Sequence, residues 1–247
     1  MANKGKRRPP AHDEARPELP PSLSYVWTAA AVRTIRLQAE QGNVEALSQL
    51  GGFCLDGLRS RGGGVLIRRD VRAGRRFLER GVALGDTGAM LELASHLSHA
   101  GPAGWRRGVA LYRRAFRLGE ATAAYNLAFT YKLRGRYREA VAWWRRAHAE
   151  GDPSAILDLA LAELHGQGTR RNVRSALAKL RQAANATETK WFPRSSGENV
   201  RAMIHLARVY GEGWLVPRDL AESVRWLRLA AEWDSAIAKA MLVENWE

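Results

Sequence analysis

Small and large apolar residues recur along the chain at a spacing near 3.6 residues, which places their side chains on one face of an α-helix. In the stretch 155–184, Ala155, Leu159 and Ala160 define such a face, and a second periodic segment follows them. In the preceding stretch, Ala140 and Trp144 belong to a second helix of the same kind. The pattern therefore predicts an all-α body built from pairs of helices.

The same pattern returns five times, which is the signature of a repeat protein. The alanines that open successive copies are 43, 34, 32 and 47 residues apart, at Ala46, Ala89, Ala123, Ala155 and Ala202. A helical hairpin cannot bury its apolar face alone, so neighbouring copies must stack into one continuous core. We expect residues 25–247 to form a solenoid of about five helix-turn-helix repeats with terminal half-repeats (about 43–86, 87–120, 121–152, 153–199 and 200–234).

The residues at the junctions agree with this division. Glycine adopts the left-handed conformation that ends a helix, and it stands where second helices should end, at Gly42, Gly85, Gly119 and Gly151. Residues that cap helix N-termini stand before three second helices, at Asp70, Asn172 and Asp219. We interpret these polar residues as caps and not as scattered catalytic carboxylates.

The complete pattern is Ala-x3-Leu-(Gly/Ala)-x2-Tyr, then Gly-x-Gly, then Asp or Asn, then Ala-x2-Trp-(Tyr/Trp)-x2-Ala-Ala-x2-Gly. Its fullest loop is Gly166-Gln167-Gly168 with Asn172, and the last copy keeps Gly213 and Asp219. In this pattern the chain resembles the Sel1-like repeat family of tetratricopeptide-like solenoids. The resemblance implies a right-handed superhelix whose first helices line a concave surface that captures another protein. In bacteria such proteins often serve signalling, secretion or toxin-neutralising systems, so the resemblance also implies an inhibitor or immunity role.

The composition separates a short arm from this body. Residues 1–24 hold five of the nine prolines and few periodic apolar residues, so we expect a flexible, basic arm. The most apolar N-terminal stretch, 25–32, is too short to span a membrane. The single cysteine, Cys54, excludes an internal disulfide framework and a thiolate-rich metal site. We therefore expect a cytoplasmic protein without membrane insertion.

Helix geometry predicts which residues face the concave groove. Positions one before, two after, six after, and nine or ten after each opening alanine should point outward. In the third and fourth copies these residues are unexpectedly apolar, and exposed apolar patches mark interaction sites. We expect the groove to hold an apolar stripe of a partner protein, with acidic groups beside it; the residues predicted to line it are Tyr125, Phe129, Lys132, Leu157, Leu161, Leu164, Arg201, Ile204 and Arg208.

Two segments of the chain itself are alternative occupants of the groove. The insertion 185–199 contains Trp191-Phe192-Pro193, and the arm is followed by Tyr25 and Trp27. Either segment offers aromatic side chains that can cover an apolar surface. The sequence leaves open whether an external partner or one of these segments lies there.

The charge supports an alternative function. Lys and Arg number 39 against 25 acidic residues, which gives a net charge of +14 and a pI near 10.8. A field of this size attracts nucleic acid, acidic proteins or anionic surfaces. Arginines predicted on the convex face and rim would form a basic surface for nucleic acid: Arg72, Arg75, Arg76, Arg106, Arg107, Arg113, Arg114, Arg145 and Arg146.

No motif in the sequence indicates catalysis. Among the six histidines only His96 and His99 share a helix face at a spacing near that of metal ligands, and no acidic or cysteine cluster completes a zinc site. The phosphate loop, the nucleophile elbow and the His-Glu-x2-His motif are absent from the sequence. We expect neither an enzyme nor a bound metal or cofactor.

Overall fold

A computed structural model describes residues 27–152, 154–185 and 197–244 of the 247-residue chain. These residues form an all-α solenoid, as the sequence predicts. The predicted arm 1–24, Tyr25 and Trp191-Phe192-Pro193 lie outside the described residues. The helices are α1 (Ala29–Glu40), α2 (Val44–Asp56), α3 (Val71–Ala83), α4 (Thr87–Ser98), α5 (Gly101–Arg117), α6 (Thr122–Lys132), α7 (Tyr137–Ala149), α8 (Ser154–His165), α9 (Val173–Ala184), α10 (Glu198–Glu212), α11 (Leu220–Glu232) and α12 (Ala236–Glu244).

The helices form five hairpins, each made of a first and a second helix. The pairs α2–α3, α4–α5, α6–α7, α8–α9 and α10–α11 make the most extensive contacts, and each second helix also packs on the next first helix. Helix α1 precedes the first pair and α12 follows the last. The opening alanines lie inside the stack with no exposed surface or almost none.

Helix ends form through the predicted residues. The side chains of Asp70, Asn172 and Asp219 accept hydrogen bonds from backbone N–H groups three residues ahead, at 2.9 to 3.0 Å. The four junction glycines have φ between 84° and 90°. A side chain at these glycines would strain the backbone, so the glycines fix where each second helix stops.

The first hairpin packs unusually closely. A Cβ atom added to Gly51 would lie 2.6 Å from the Leu78 side chain, and one added to Gly74 would lie 2.8 Å from the Gly51 carbonyl oxygen. Glycine at both positions therefore allows α2 and α3 to approach each other.

Between these two helices the chain forms a short antiparallel ribbon that the helical pattern did not predict. Strand β1 (Leu58–Arg59) pairs with β2 (Val65–Ile67), with Leu58 opposite Ile67. The ribbon forms an insertion between the first and second helices of this hairpin. Ile67 is buried against α1 and α2, and this burial ties the insertion to the core.

The stack curves towards its first helices. Helix α2 contacts α4, α4 contacts α6, and α8 contacts α10, whereas successive second helices make fewer contacts with each other. We call the surface lined by α2, α4, α6, α8 and α10 the concave groove. Within the described residues, no helix combines the length and apolar character needed to cross a membrane.

Candidate functional site: the concave groove

Two cavities open on the N-terminal part of the concave groove. The first, of about 590 Å³, lies between α2 and α4 and is lined by Trp27, Ser48, Gln49, Gly52, Phe53, Asp56, Gly57 and Glu92. The second, of about 600 Å³, lies between α4 and α6 and is lined by Leu91, Glu92, Ser95, Ser98, His99, Tyr112, Asn126, Phe129, Thr130, Leu133 and Arg134. Glu92 lines both, so the two cavities adjoin.

Each cavity has apolar side chains at its edge. Phe129 is 45% exposed and Leu133 is 57% exposed beside the α4–α6 cavity. At the α2–α4 cavity, the rings of Trp27 and Phe53 meet edge to face with centroids 4.7 Å apart. Exposed aromatic and aliphatic groups around a concavity are typical of docking surfaces. Phe129 therefore lies where the sequence predicts it, at an open part of the groove.

Helix α8, in the centre of the groove, differs from the prediction. Leu157, Leu164 and Ile204 were expected to face outward, but all three are buried, Leu157 to 1% exposure. Eight of the twelve residues of α8 are buried because α9 and α10 cover it on several sides. These three residues belong to the core, whereas Leu161 is half-buried against it.

A buried carboxylate organises the same centre. The Tyr125 hydroxyl donates to Asp158 Oδ2 at 2.9 Å, and Lys132 Nζ donates to Asp158 Oδ1 at 2.9 Å. Asp158 is 8% exposed, so it requires such partners. Burial and the nearby Asp158 raise the pKa of Tyr125 well above its usual range. Tyr125 and Lys132 are therefore committed to a network within the chain.

The other predicted cations of the groove lie on α10. Arg201 Nη1 is 3.2 Å from Glu198 Oε1, and both Arg201 and Arg208 are exposed. Burial raises the pKa of the Glu198 carboxyl, although Arg201 opposes this effect. Burial and the two arginines lower the pKa of His205. At the C-terminal end of the groove, Arg201 is therefore paired with Glu198, whereas Arg208 forms no ion pair among the described residues.

The N-terminal end is acidic. Among the described residues, neither Asp56 nor Glu92 forms an ion pair or side-chain hydrogen bond. Partial burial raises the pKa of Glu92, and the negative charge of Asp56 raises it further. Burial, Arg75 and Arg69 lower the pKa of the adjacent His96. A raised pKa means that the surrounding chain does not stabilise the ionised form of this carboxyl group.

Glu92 and Asp158 were missed from the sequence, although a simple signal marks them. The third residue after each opening alanine is polar in all five copies: Gln49, Glu92, Asn126, Asp158 and His205. Four of these five residues line a cavity or form the buried network. A polar residue at a fixed position of otherwise apolar helices marks the centre line of the groove.

Charge is divided between the two layers of helices. The five first helices carry seven acidic and three basic residues, whereas the five second helices carry four acidic and seventeen basic residues. The excess of positive charge therefore belongs to the second helices. The first helices, which line the concave groove, carry no excess of positive charge.

The predicted basic surface lies on second helices, and eight of its nine arginines are exposed, Arg75 being half-buried. Several contact other side chains: Arg107 pairs with Glu79 at 3.0 Å, and Arg146 lies over the Trp143 ring, 4.5 Å from its centroid. Tyr112 and Trp144 are buried. The aromatic residues of the second helices are packing residues, and they offer no open platform for stacked bases.

Residues that could bind a metal ion are not clustered in the described part of the chain. No cluster of three or more His, Cys, Asp or Glu residues there can hold a metal ion. His96 and His99 have no such third ligand beside them. Cys54 is buried, and burial raises the pKa of its thiol. It is a packing residue, as its place in the repeat indicates.

Solved structures with similar folds are repeat proteins. A protective antigen present in uropathogenic Escherichia coli strains, which displays an SLR fold, matches with a TM-score of 0.63 and 23% identity, over 87% of this chain and 43% of its own. This chain thus spans less than half of that protein. A Sel1 repeat protein from Oxalobacter formigenes matches with a TM-score of 0.61 and 22% identity, over 83% and 79%. An immunity protein from Pseudomonas aeruginosa matches with a TM-score of 0.50 and 16% identity, over 83% and 74%.

These likenesses show the fold. No curated protein matches the sequence significantly. The model of the Sel1 repeat matches four regions, 44–86, 121–152, 153–187 and 200–232, which together make up more than half of the chain. Sel1 repeat proteins are generally non-catalytic and mediate protein–protein interactions. The chain belongs to the Sel1 repeat family.

Proposed function

We propose that this protein is a non-catalytic adaptor or regulator that holds a segment of a partner protein in its concave groove. The observation that carries the proposal is the pair of adjoining cavities edged by exposed apolar side chains, Phe129 and Leu133 above all. Monomeric surfaces rarely leave such groups beside a concavity without a use. Of the residues predicted from the sequence, the proposed contact set keeps Phe129, Leu161, Arg201 and Arg208.

The division of charge gives the proposed partner segment a direction. Arg208 at the α10 end forms no ion pair among the described residues and favours acidic groups of the partner, as the sequence predicts, and the exposed Arg201 would join it by exchanging Glu198 for the partner. Lys132 does not contribute there, since it is paired with Asp158. We place this interaction in the cytoplasm of a bacterium, where a chain with a single buried cysteine needs no oxidising compartment.

An inhibitory or immunity role is a finer form of the same proposal. The P. aeruginosa immunity protein shares only the fold at 16% identity. A toxin or signalling enzyme bound in the groove would be held by the same apolar contacts. In that case, adding the wild-type protein should inhibit the purified partner. Adding a groove variant should leave the partner active.

A pull-down from native lysate, with and without nuclease, tests the proposal. Phe129→Asp should abolish capture of the partner, because a charge cannot replace the exposed ring in an apolar contact. Leu118→Asp is the matched control, since Leu118 is 56% exposed at the end of the second helix α5. If both variants capture the partner as the wild type does, the groove is not the binding site.

The second candidate function is nucleic-acid binding by the basic surface. The seventeen basic residues of the second helices favour it. Phosphate contacts make affinity fall steeply and log-linearly with salt, whereas apolar groove contacts do not. Material that nuclease removes and Phe129→Asp retains would assign the function to the arginines.

A further inference from the structure

The two cavities form one continuous surface with a carboxylate at the point where they meet. Trp27 and Phe53 stand on one side of Glu92, and Phe129 and Leu133 stand on the other. Asp56 lines the same α2–α4 cavity and acts on Glu92 electrostatically. Apolar groups therefore flank an acidic centre on both sides.

Within the described residues, no lysine or arginine forms an ion pair with this acidic centre. Glu163 pairs with Lys179 at 2.8 Å, Asp158 with Lys132 at 2.9 Å, and Glu198 with Arg201 at 3.2 Å. Asp56 and Glu92 have no such partner among the described residues, although the protein holds 39 lysines and arginines.

Two arginines lie near enough to this centre to act on His96, as Asp56 also does, but among the described residues neither forms an ion pair with Asp56 or Glu92. The Arg69 Nε donates to the Leu55 carbonyl oxygen at 2.9 Å, and Arg69 and Arg75 both act on the imidazole of His96. His99 and Arg134 line the α4–α6 cavity, and the Arg134 guanidinium lies over the Trp105 ring, 5.8 Å from its centroid. These two carboxylates therefore lack a positively charged partner. A positive group that enters between α2 and α4 would supply it.

We infer that Asp56 and Glu92 receive a lysine or arginine side chain of the partner segment, whose apolar neighbours fill the two cavities. The inference rests on the proposed function and names the chemistry of its partner. Lysine and arginine suit this surface, because their aliphatic stems pack on apolar groups while the charged end reaches the carboxylates. The amides of Gln49 and Asn126, one in each cavity, are placed to bond the partner's main chain.

A phage library displaying random 16-residue peptides, selected on the full-length protein, tests the inference. We expect the selected peptides to carry lysine or arginine next to aromatic or aliphatic residues. As free peptides in fluorescence anisotropy, they should bind Asp56→Asn/Glu92→Gln at least tenfold more weakly than wild type. Glu232→Gln, which removes an exposed carboxylate from the second helix α11 outside both cavities, should bind them as the wild type does.

The outcomes separate the inference from the proposed function. Selected peptides that are apolar and lack enriched cations, but lose binding to Phe129→Asp, would overturn the inference and keep the groove. A selection that enriches nothing, or peptides that bind Phe129→Asp normally, would overturn both. A synthetic peptide of residues 1–24 is tested in parallel. If it binds with the same dependence on Glu92, the basic arm of the chain occupies the site and an external partner is overturned.

Discussion

Two regions of the concave groove carry carboxylates, and the chain surrounds them differently. At the centre, Asp158 is buried, and it accepts hydrogen bonds from Tyr125 and Lys132. At the N-terminal end, Asp56 and Glu92 face two open cavities and have no partner among the described residues. A buried charge that is fully paired holds the fold together, whereas an exposed, unpaired one is available to another molecule.

The difference follows from how the neighbouring repeats pack. Helix α8 is covered by α9 and α10, so polar groups on it must be satisfied from within. Helix α4 leaves space on both sides of Glu92. The same position of the repeat is therefore structural in the fourth copy and accessible in the second.

The largest expected effect concerns the apolar residues of the two regions. Leu157→Ala should lower the free energy of unfolding by about 3 kcal/mol, because it leaves a cavity around a side chain that is only 1% exposed. Phe129→Ala, at the open end, should change it by less than about 1 kcal/mol. Urea unfolding of both variants measures the difference. Equal losses would mean that Phe129 is also a core residue.

Replacing the carboxylate at the centre should also cost more stability than replacing the one at the N-terminal end. Asp158→Ala leaves the Lys132 ammonium and the Tyr125 hydroxyl without their acceptor, and we expect a loss of about 2 kcal/mol. Glu92→Ala removes no hydrogen bond or ion pair among the described residues and should cost less than about 0.5 kcal/mol. Urea midpoints at pH 7 provide the test. A large loss for Glu92→Ala would contradict its assignment as an unpaired, accessible group.

The repeat pattern predicted the fold because its signals are local and redundant. Small residues such as Ala155 fix the packed face, and caps such as Asp219 fix the helix ends, without reference to the rest of the molecule. The groove residues were predicted with less success. Leu157 and Ile204 were placed outward by helix geometry alone, but burial depends on how closely the next repeat covers the helix.

The acidic centre was missed for a related reason. Asp56, ten residues after Ala46, is among the positions predicted to face the groove, but Glu92, three residues after Ala89, is not. Helix phase gives the direction of a side chain to within about a third of a turn. It gives no information on the cavities between copies, which depend on how neighbouring first helices pack. The polar residue shared by all five copies would have corrected the phase.

A smaller effect is expected from the cation of the central network. Lys132→Met keeps an aliphatic stem near the Trp144 ring, whose centroid is 5.5 Å from Lys132 Nζ, but removes the charge beside Asp158. We expect a loss of about 1 kcal/mol in thermal or urea unfolding. Lys239→Met is the matched control, because Lys239 pairs with the largely exposed Asp234 and such pairs contribute little. If the two variants lose the same stability, the central network is no stronger than a surface ion pair.

The smallest effect is a gain in stability at the open end. The pKa of Glu92 is raised above its ordinary value of 4.5 by burial and by Asp56, so ionisation of this group destabilises the folded chain. Glu92→Gln should therefore raise the free energy of unfolding at pH 7, by less than about 0.5 kcal/mol because solvent screens an exposed group. Below about pH 4 the gain should vanish, since the wild-type carboxyl is then protonated in both states.

Urea midpoints of the wild type and of Glu92→Gln at pH 3.5, 4.5, 5.5 and 7 measure this gain, with Glu232→Gln on α11 as the control outside the cavities. A gain that is the same at pH 3.5 and pH 7 would assign it to side-chain packing and not to charge. A gain confined to the higher pH values means that the folded chain carries an electrostatic cost at Glu92. A bound cation would relieve this cost, so the variant that is more stable should also be the one that binds cationic peptides more weakly.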